Sequence, residues 1–337
     1  KTTTTTLIAH ILKHSGYDCT AFLGGISVNY QTNFLIGKNQ VVVVEADEFD
    51  RSFLHLHPDI AVITSCDADH LDIYGNELSV KQSFIEFADK VKPGGTLILK
   101  KNISVENHLQ QKEPVTYSLH NTSADYFSYN NKLIDELYAF DVMTPFGDNS
   151  PLQLGIPGEH NVENAVAAIA VASQLMIDED AIAESLQTFR GVKRRFEYLI
   201  RRDGLTFIDD YAHHPAELKA FLSAVKNLYP NRKVTCVFQP HLFTRTRDFA
   251  QGFAESLSIA DELILLPIYP ARELPIEGVS SEMILEMCSS KQKQVMSKEQ
   301  LLHHFQNNLP DVLVTVGAGH IDALLMTIRE SLLQQFN

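Results

Sequence analysis

Three short stretches carry residues whose types and spacing suit chemistry on a phosphate. The first is Lys1-Thr2-Thr3, followed by three more threonines and the apolar run Leu7-Ile8-Ala9-His10-Ile11-Leu12. A lysine–threonine step that opens a helix is the second half of a phosphate-binding loop. There the ammonium reaches the β- and γ-phosphates, the hydroxyl ligates Mg²⁺, and the helix start offers N–H groups and the positive end of its dipole. The second stretch is Glu45-Ala46-Asp47-Glu48-Phe49-Asp50. The third is Asp67-Ala68-Asp69-His70-Leu71-Asp72. Hard carboxylate oxygens with one imidazole suit a divalent cation, and Mg²⁺ brought in with phosphates is the expected one.

The elements that must position these groups can be read from the flanking residues. Leu7, Ile8, Ile11 and Leu12 recur at helical spacing, so a helix starts within the threonines and ends at Gly16. Val41-Val42-Val43-Val44 and Ile60-Ala61-Val62-Ile63 are unbroken apolar runs of the kind found in strands buried on both faces. In parallel sheets, ligands sit beyond the carboxyl ends of strands. Two such strands side by side would bring both acidic clusters to one edge. Any single acid here reads as a solvated loop residue or helix cap. Two clusters together with the lysine–threonine helix start favour phosphate binding.

The rest of the chain alternates in the same way. Leu23-Gly24-Gly25 reads as a turn that could approach a ligand, with an ordinary loop as the alternative. Val80, Phe84, Phe87 and Val91 share one helix face, and Pro93-Gly94-Gly95 ends that helix before a strand at Thr96-Leu97-Ile98-Leu99. Residues 115–151 are richer in Asn, Ser and Asp and are expected to form a less regular sheet at one side. The Ala-rich stretch after Gly158 is apolar on nearly every face and so is a buried helix. Asn161 and Asn164 near its start are read as caps, with recognition of an adenine edge as the alternative.

The composition shifts at Gly191. Val192-Lys193-Arg194-Arg195-Phe196 is the densest basic cluster of an acidic chain, and guanidinium suits phosphate oxygens. Further on, Leu205-Thr206-Phe207-Ile208 leads into Asp209-Asp210-Tyr211-Ala212-His213-His214-Pro215. A strand at residues 234–238 leads into Gln239-Pro240-His241-Leu242-Phe243-Thr244-Arg245-Thr246-Arg247. Arg245 and Arg247 beside hydroxyls form an anion-binding candidate. Strands at residues 263–267 and 312–316 follow, and the glycine turn Gly317-Ala318-Gly319 fits a second doubly wound sheet. The expected fold is α/β. It has a P-loop-type central ATPase domain with a mostly parallel sheet at residues 1–190, then a Rossmann-like α/β C-terminal domain at 191–337.

The chain has 337 residues, 45% hydrophobic, enough for two cores. A net charge of −14 argues against a general nucleic-acid binder. Four scattered cysteines, Cys19, Cys66, Cys236 and Cys288, lack metal or disulfide spacing and fit a reducing, cytoplasmic setting. No apolar run reaches transmembrane length, so membrane insertion is not expected.

Seven motifs in order, from Lys1-Thr2-Thr3-Thr4-Thr5 through Asp69-His70-Leu71-Asp72 and Gly158-Glu159-His160-Asn161 to Gln239-Pro240-His241, resemble the Mur ligases. Within that family they look most like the branch that joins L-alanine to UDP-N-acetylmuramate in peptidoglycan synthesis. The resemblance covers nearly the whole chain and implies ATP and Mg²⁺ as cofactors. It implies that the lactyl carboxylate attacks the γ-phosphate of ATP, and that the amino group of alanine then displaces phosphate. By the same resemblance, Thr2 and Glu45 hold one Mg²⁺ and His70 a second, while Lys1 and Thr3 meet the phosphates. Asn161 would contact adenine, Arg194 or Arg195 the phosphates, and Asp210 the ribose. Tyr211, His213 and His214 would face the amino acid and acyl phosphate, with Arg245 and Arg247 near the reacting groups. Domain closure about residues 190–193 would bring Arg245 to the metal. Some relatives carry a carbamylated lysine beyond Asp-His. Here Ile85 stands at that distance and Lys81 is the nearest lysine, so the modification is not expected.

The family pattern also leads us to expect, ahead of Lys1, the glycines of the phosphate loop and a domain for the uridine end of the substrate. The chain by itself is therefore expected to fold but not to turn over. Two alternatives stand beside this reading: the related ligase that recycles muropeptides, and an ATP-binding module without ligase activity.

Overall fold

The computed structural model describes residues 1–67, 71–109 and 113–336. The chain divides into two compact units, Lys1–Val192 and Lys193–Asn337.

The first unit contains two sheets. Strands β1 (Thr20–Ser27), β2 (Thr32–Leu35) and β3 (Val42–Val44) form a three-stranded sheet in the order β2-β1-β3, with β2 antiparallel and β3 parallel to β1. Strands β4 (Ile60–Ile63), β5 (Thr96–Lys100), β6 (Val115–Ser118), β7 (Tyr126–Ile134), β8 (Leu137–Thr144) and β9 (Gly147–Gln153) form the other, in sequence order. Its first four strands are parallel and its last three antiparallel. Helices α1 (Thr2–His14), α2 (Leu71–Tyr74), α3 (Glu77–Asp89), α4 (Glu159–Gln174) and α5 (Glu179–Thr188) complete the unit.

The parallel part of the six-stranded sheet is covered on both sides. Along β5, Ile98 joins the core that holds α1 and α4, while Leu97 and Leu99 face the core under α3. This two-faced burial is what an uninterrupted apolar strand is for. Helix α4 is buried almost all round, from Asn161 to Ala172, and its alanines let α1 pack close against it.

Three expectations need correction. Residues 41–44 do not form a strand buried on both faces: β3 is an edge strand, with Val42 54% and Val44 42% exposed. Nor are β3 and β4 neighbours in one sheet, since each ends a different sheet. The β-branched run reports strand propensity, which edge and centre share, so it could not distinguish them. Gly24 and Gly25 are not a turn but lie within β1. Residues 115–151 fall where a less regular sheet was expected: they lie at one side of the main sheet, with bulges in the β7–β8 and β8–β9 pairings.

The second unit is one six-stranded sheet formed by β10 (Glu197–Arg202), β11 (Leu205–Asp210), β12 (Val234–Phe238), β13 (Glu262–Leu265), β14 (Gln292–Val295) and β15 (Val312–Val316), in the order β10-β11-β15-β12-β13-β14. Only β10 runs antiparallel to its neighbour. Its helices are α6 (Pro215–Leu228), α7 (Phe243–Asp248), α8 (Ala250–Leu257), α9 (Ser281–Met287), α10 (Lys298–Asn307) and α11 (Leu325–Phe336). Val312, Val314 and Val316 of β15 enter one core and Leu313 the other, so this sheet too is sandwiched. The final strand returns between β11 and β12. The turns after β11, β12 and β15 therefore gather at one sheet edge, where doubly wound folds place ligands.

Candidate functional site

In the first unit the site is built around the start of α1. Lys1 is the N-cap position, no side chain caps the helix, and no acid stands in its first turn. The positive end of a thirteen-residue helix is thus left without an anionic neighbour from its own sequence. Thr2 is buried, and its hydroxyl donates to Glu45 Oε1 at 2.8 Å. The other Glu45 oxygen accepts the Gly24 N–H at 2.7 Å. Glu45 N–H bonds Phe22 O at 3.0 Å, which prolongs the β3–β1 ladder and fixes where the side chain leaves the backbone. A Cβ on Gly24 would lie 2.3 Å from Glu45 Oε2, so only glycine leaves room for this carboxylate.

Lys1 Nζ pairs with Asp47 Oδ1 at 3.1 Å and with Glu48. Burial opposes the charged ammonium, but Glu48 and Asp47 outweigh it and hold the Lys1 pKa above its ordinary value. Thr3 is half-buried in the first turn. His70 and Asp69 lie outside the described residues. Among the described residues no three His, Cys, Asp or Glu side chains gather into a metal cluster. The Thr2 hydroxyl and one Glu45 oxygen are hard donors in direct contact. They suit Mg²⁺, which is typically bound by one or two protein groups plus substrate phosphates.

Asn161 does not cap α4; Gly158 holds the N-cap position, in the left-handed region at φ 96°. The Asn161 amide instead donates to Pro157 O at 2.6 Å and accepts from Asn164 at 3.1 Å. Thr4 Oγ1 donates in turn to Asn164 Oδ1 at 3.0 Å. This relay joins the first turns of α1 and α4, so both asparagines tie α4 to α1.

In the second unit the basic cluster is a tight turn. Arg194 and Phe196 have φ of 60° and 51°, and three bonds hold these left-handed residues: Arg194 N–H to Glu197, Tyr211 N–H to Arg194 O, and Phe196 N–H to Asp210 Oδ2. The Arg194 guanidinium folds inward, with Nε donating to Asp209 at 3.0 Å and Nη2 to Gly317 O at 2.7 Å. Arg195 lies over the Tyr211 ring, 5.2 Å from its centroid. Burial pushes the Asp209 carboxyl up to about 7 against the pull of Arg194, and Asp210 up to about 6 against that of Arg195. Both Asp210 oxygens accept backbone N–H groups, from Phe196 and Ala212. Asp210 is therefore the clasp between the basic turn and the end of β11.

His213 and His214 sit at the start of α6. His214 caps the helix through Nδ1, and Glu217 accepts both His213 and His214 N–H groups, closing a capping box. Burial raises Glu217, but His213, Arg195 and these two N–H groups hold it below its ordinary value. His213 Nδ1 meets Tyr211 O at 2.9 Å, and the two rings stand edge-on at 5.2 Å. Tyr211, His213, His214 and Arg195 are thus brought together. Arg245 and Arg247 are not. Two positions apart on a helix, they face different ways. Arg245 is buried, while Arg247 pairs with Asp248 at the surface.

The sequence reading singled out Gly24, though as part of a turn, and two further contributors escaped it. Glu217 was detectable as an acid three residues beyond a capping position. Glu273 accepts from Thr244 at the start of α7, and nothing in its local sequence signals this.

The model of the Mur ligase middle domain matches residues 1–172, and that of the Mur ligase, glutamate ligase domain matches residues 194–319. The UDP-N-acetylmuramate–L-alanine ligase of Flavobacterium johnsoniae is 49% identical over 332 residues, covering 98% of this chain and 72% of that protein. The enzyme of the same name from Cytophaga hutchinsonii is 48% identical over 333 residues, covering 98% and 71%. Among solved structures, the UDP-N-acetylmuramate–alanine ligase of Thermotoga maritima superposes with a TM-score of 0.80 at 28% identity, covering 100% of this chain and 73% of that one. A MurF ligase from the same organism, solved in complex with ADP, shares the fold with a TM-score of 0.74 at 14% identity, covering 98% and 78%. With both family models matched in order and near-half identity along almost its full length, the chain belongs to the Mur ligase family.

Proposed function

We propose that this protein is an ATP-dependent ligase that joins L-alanine to UDP-N-acetylmuramate in peptidoglycan synthesis, through an acyl phosphate. The supporting observation is the Thr2–Glu45–Gly24 arrangement at the uncapped start of α1, in a chain so close to enzymes of that name. The lactyl carboxylate oxygen attacks the γ-phosphorus and ADP leaves. The alanine nitrogen then attacks the acyl carbon, phosphate leaves, and the nitrogen loses its proton.

Each residue has a share in this reading. The N–H groups at the start of α1 and the Lys1 ammonium take the phosphates, with Thr3 in the same turn. Lys1 is held ready by Asp47 and Glu48, so it exchanges one set of anions for another. Thr2 and Glu45 would hold Mg²⁺, which when bound supplies positive charge to the phosphoryl oxygens. His70 remains the proposed ligand of a second ion.

In the second unit, Arg195 is favoured over Arg194 for phosphate contact, because Arg194 is spent on Asp209 and Gly317. Asp210 is proposed for the ribose only through oxygen lone pairs that its two N–H bonds leave open. Asn161 is proposed to line the adenine pocket while bonded to Pro157. Tyr211, His213 and His214 are proposed for the amino acid, Arg245 for the acyl phosphate, and Arg247 for a more peripheral contact.

Glu45→Gln and Thr2→Val test this reading. In the full-length protein, alanine-dependent phosphate release should fall by at least ~100-fold in each, since a lost metal donor removes charge stabilisation from phosphoryl transfer. Calorimetry should show ATP binding to the wild type strengthened by Mg²⁺ and that gain much reduced in Glu45→Gln. Wild-type turnover in both variants would overturn the assignment.

A further inference from the structure

Helix α7, which carries Arg245, is six residues long and has no capping side chain of its own. Its N-cap position is Leu242, at φ 69° in the left-handed region, where a branched side chain is strained. So short a helix does not persist on its own propensity. Its start is fixed from elsewhere in the chain. Glu273 accepts the Thr244 N–H at 3.0 Å through Oε2, and the Thr244 hydroxyl through Oε1. The residues just before Glu273 hold the preceding turn: Leu242 N–H donates to Tyr269 O at 2.9 Å, and Tyr269 N–H to Pro240 O at 2.8 Å. Ala271 at φ 49° and the Glu273 N–H bond to Pro270 O, at 2.9 Å, bend residues 270–273 so that Glu273 points back at α7.

We propose that Glu273 is a positioning residue of the ligation reaction. Its carboxylate, bonded to both donors of Thr244, seats the first turn of α7 and thereby aims the neighbouring Arg245 guanidinium. This rests on the reading of Arg245 as the acyl-phosphate contact. The geometry assigns the role to Glu273 because it supplies a cap from outside the helix, in place of the one Leu242 cannot provide. A misplaced guanidinium costs rate more than substrate binding, because it acts on charge that develops as phosphate is transferred and leaves.

The experiment measures kcat and the KM for ATP and for L-alanine in Glu273→Ala, Glu273→Gln and Thr244→Val, beside the wild type. Gln can accept the amide N–H and donate to the hydroxyl, so it keeps both contacts without the charge. Glu273→Ala should lose roughly 10- to 100-fold in kcat, with the KM for ATP within about twofold. Glu273→Gln should recover most of the loss, and Thr244→Val, which keeps the backbone bond, should lose only a few-fold. If Glu273→Ala folds poorly, the last two variants carry the test alone. Wild-type kcat in Glu273→Ala, or Glu273→Gln as impaired as Glu273→Ala, would overturn the proposal. A full-length wild type without alanine-dependent turnover would instead refute the ligase reading on which it rests.

Discussion

A carboxylate meant for a cation has to be held firmly without being neutralised. Glu45 achieves this with one hydroxyl and one backbone N–H, neither of which carries charge. Its placement depends on an atom that is missing, the Cβ of Gly24. Gly24→Ala should therefore displace the Glu45 side chain while leaving β1 able to form, since alanine is tolerated in an extended strand. We expect kcat to fall roughly 10- to 100-fold, the usual cost of disturbing the support of a metal ligand, with little change in the thermal midpoint. Unchanged kcat would mean that the carboxylate is not held as the structure shows. At this scale the sequence displayed types and spacing but not direction. The residues alone placed Thr2 at a helix start and Glu45 after an apolar run; pairing the two came from the family resemblance. The inward fold of Arg194 and the parting of Arg245 from Arg247 were not legible. Those depend on which carbonyl, Gly317 O, and which acid, Asp209 or Asp248, lies within reach after folding.

Among the elements, α1 matters most, and both its ends are tied. Its start meets β1 and β3 through Thr2 and Glu45, and α4 through Thr4 and Asn164. About two turns on, buried His10 bonds Tyr30 OH at 2.9 Å and Thr188 Oγ1 at 3.1 Å. Burial, reinforced by His14, lowers the His10 pKa from 6.5 to about 4. The folded state therefore binds fewer protons than the unfolded state between pH 6.5 and 4. The stability that follows from a neutral His10 is full above pH 6.5 and is lost as pH falls through that window, by roughly 2–3 kcal/mol. His10→Gln should be less stable at pH 7 by about 1–3 kcal/mol, since it disturbs buried hydrogen bonds. It should also lose this acid sensitivity, so the gap between variant and wild type narrows from pH 7 to pH 4.5. Urea unfolding at both pH values checks this, and a constant gap would refute it. Helices such as α1 and α4 were legible because apolar periodicity and a buried alanine run leave little choice. The edge position of β3 was not, because Val42 to Val44 looks the same whether covered or exposed.

For the whole molecule, the change of composition at Gly191 lies beside the division between the two compact units at Val192 and Lys193. Each unit buries its own cores on both sides of a sheet and sets its candidate residues at the starts of helices or the ends of strands. The topology of the second unit was partly legible: its four apolar strands were visible, whereas β10 and β14, with Arg, Gln and Lys along them, were not. Such strands are drawn into the sheet by neighbours already in place, a tertiary effect without a local signature. The central claim is that this protein makes an amide by way of an acyl phosphate, and one labelling measurement tests it directly. The enzyme is given ATP, L-alanine and UDP-N-acetylmuramate whose lactyl carboxylate carries heavy oxygen. The account predicts that phosphate is released only when both co-substrates are present, and that each phosphate carries one labelled oxygen from the carboxylate. Unlabelled phosphate, or phosphate released equally well without alanine, would contradict it.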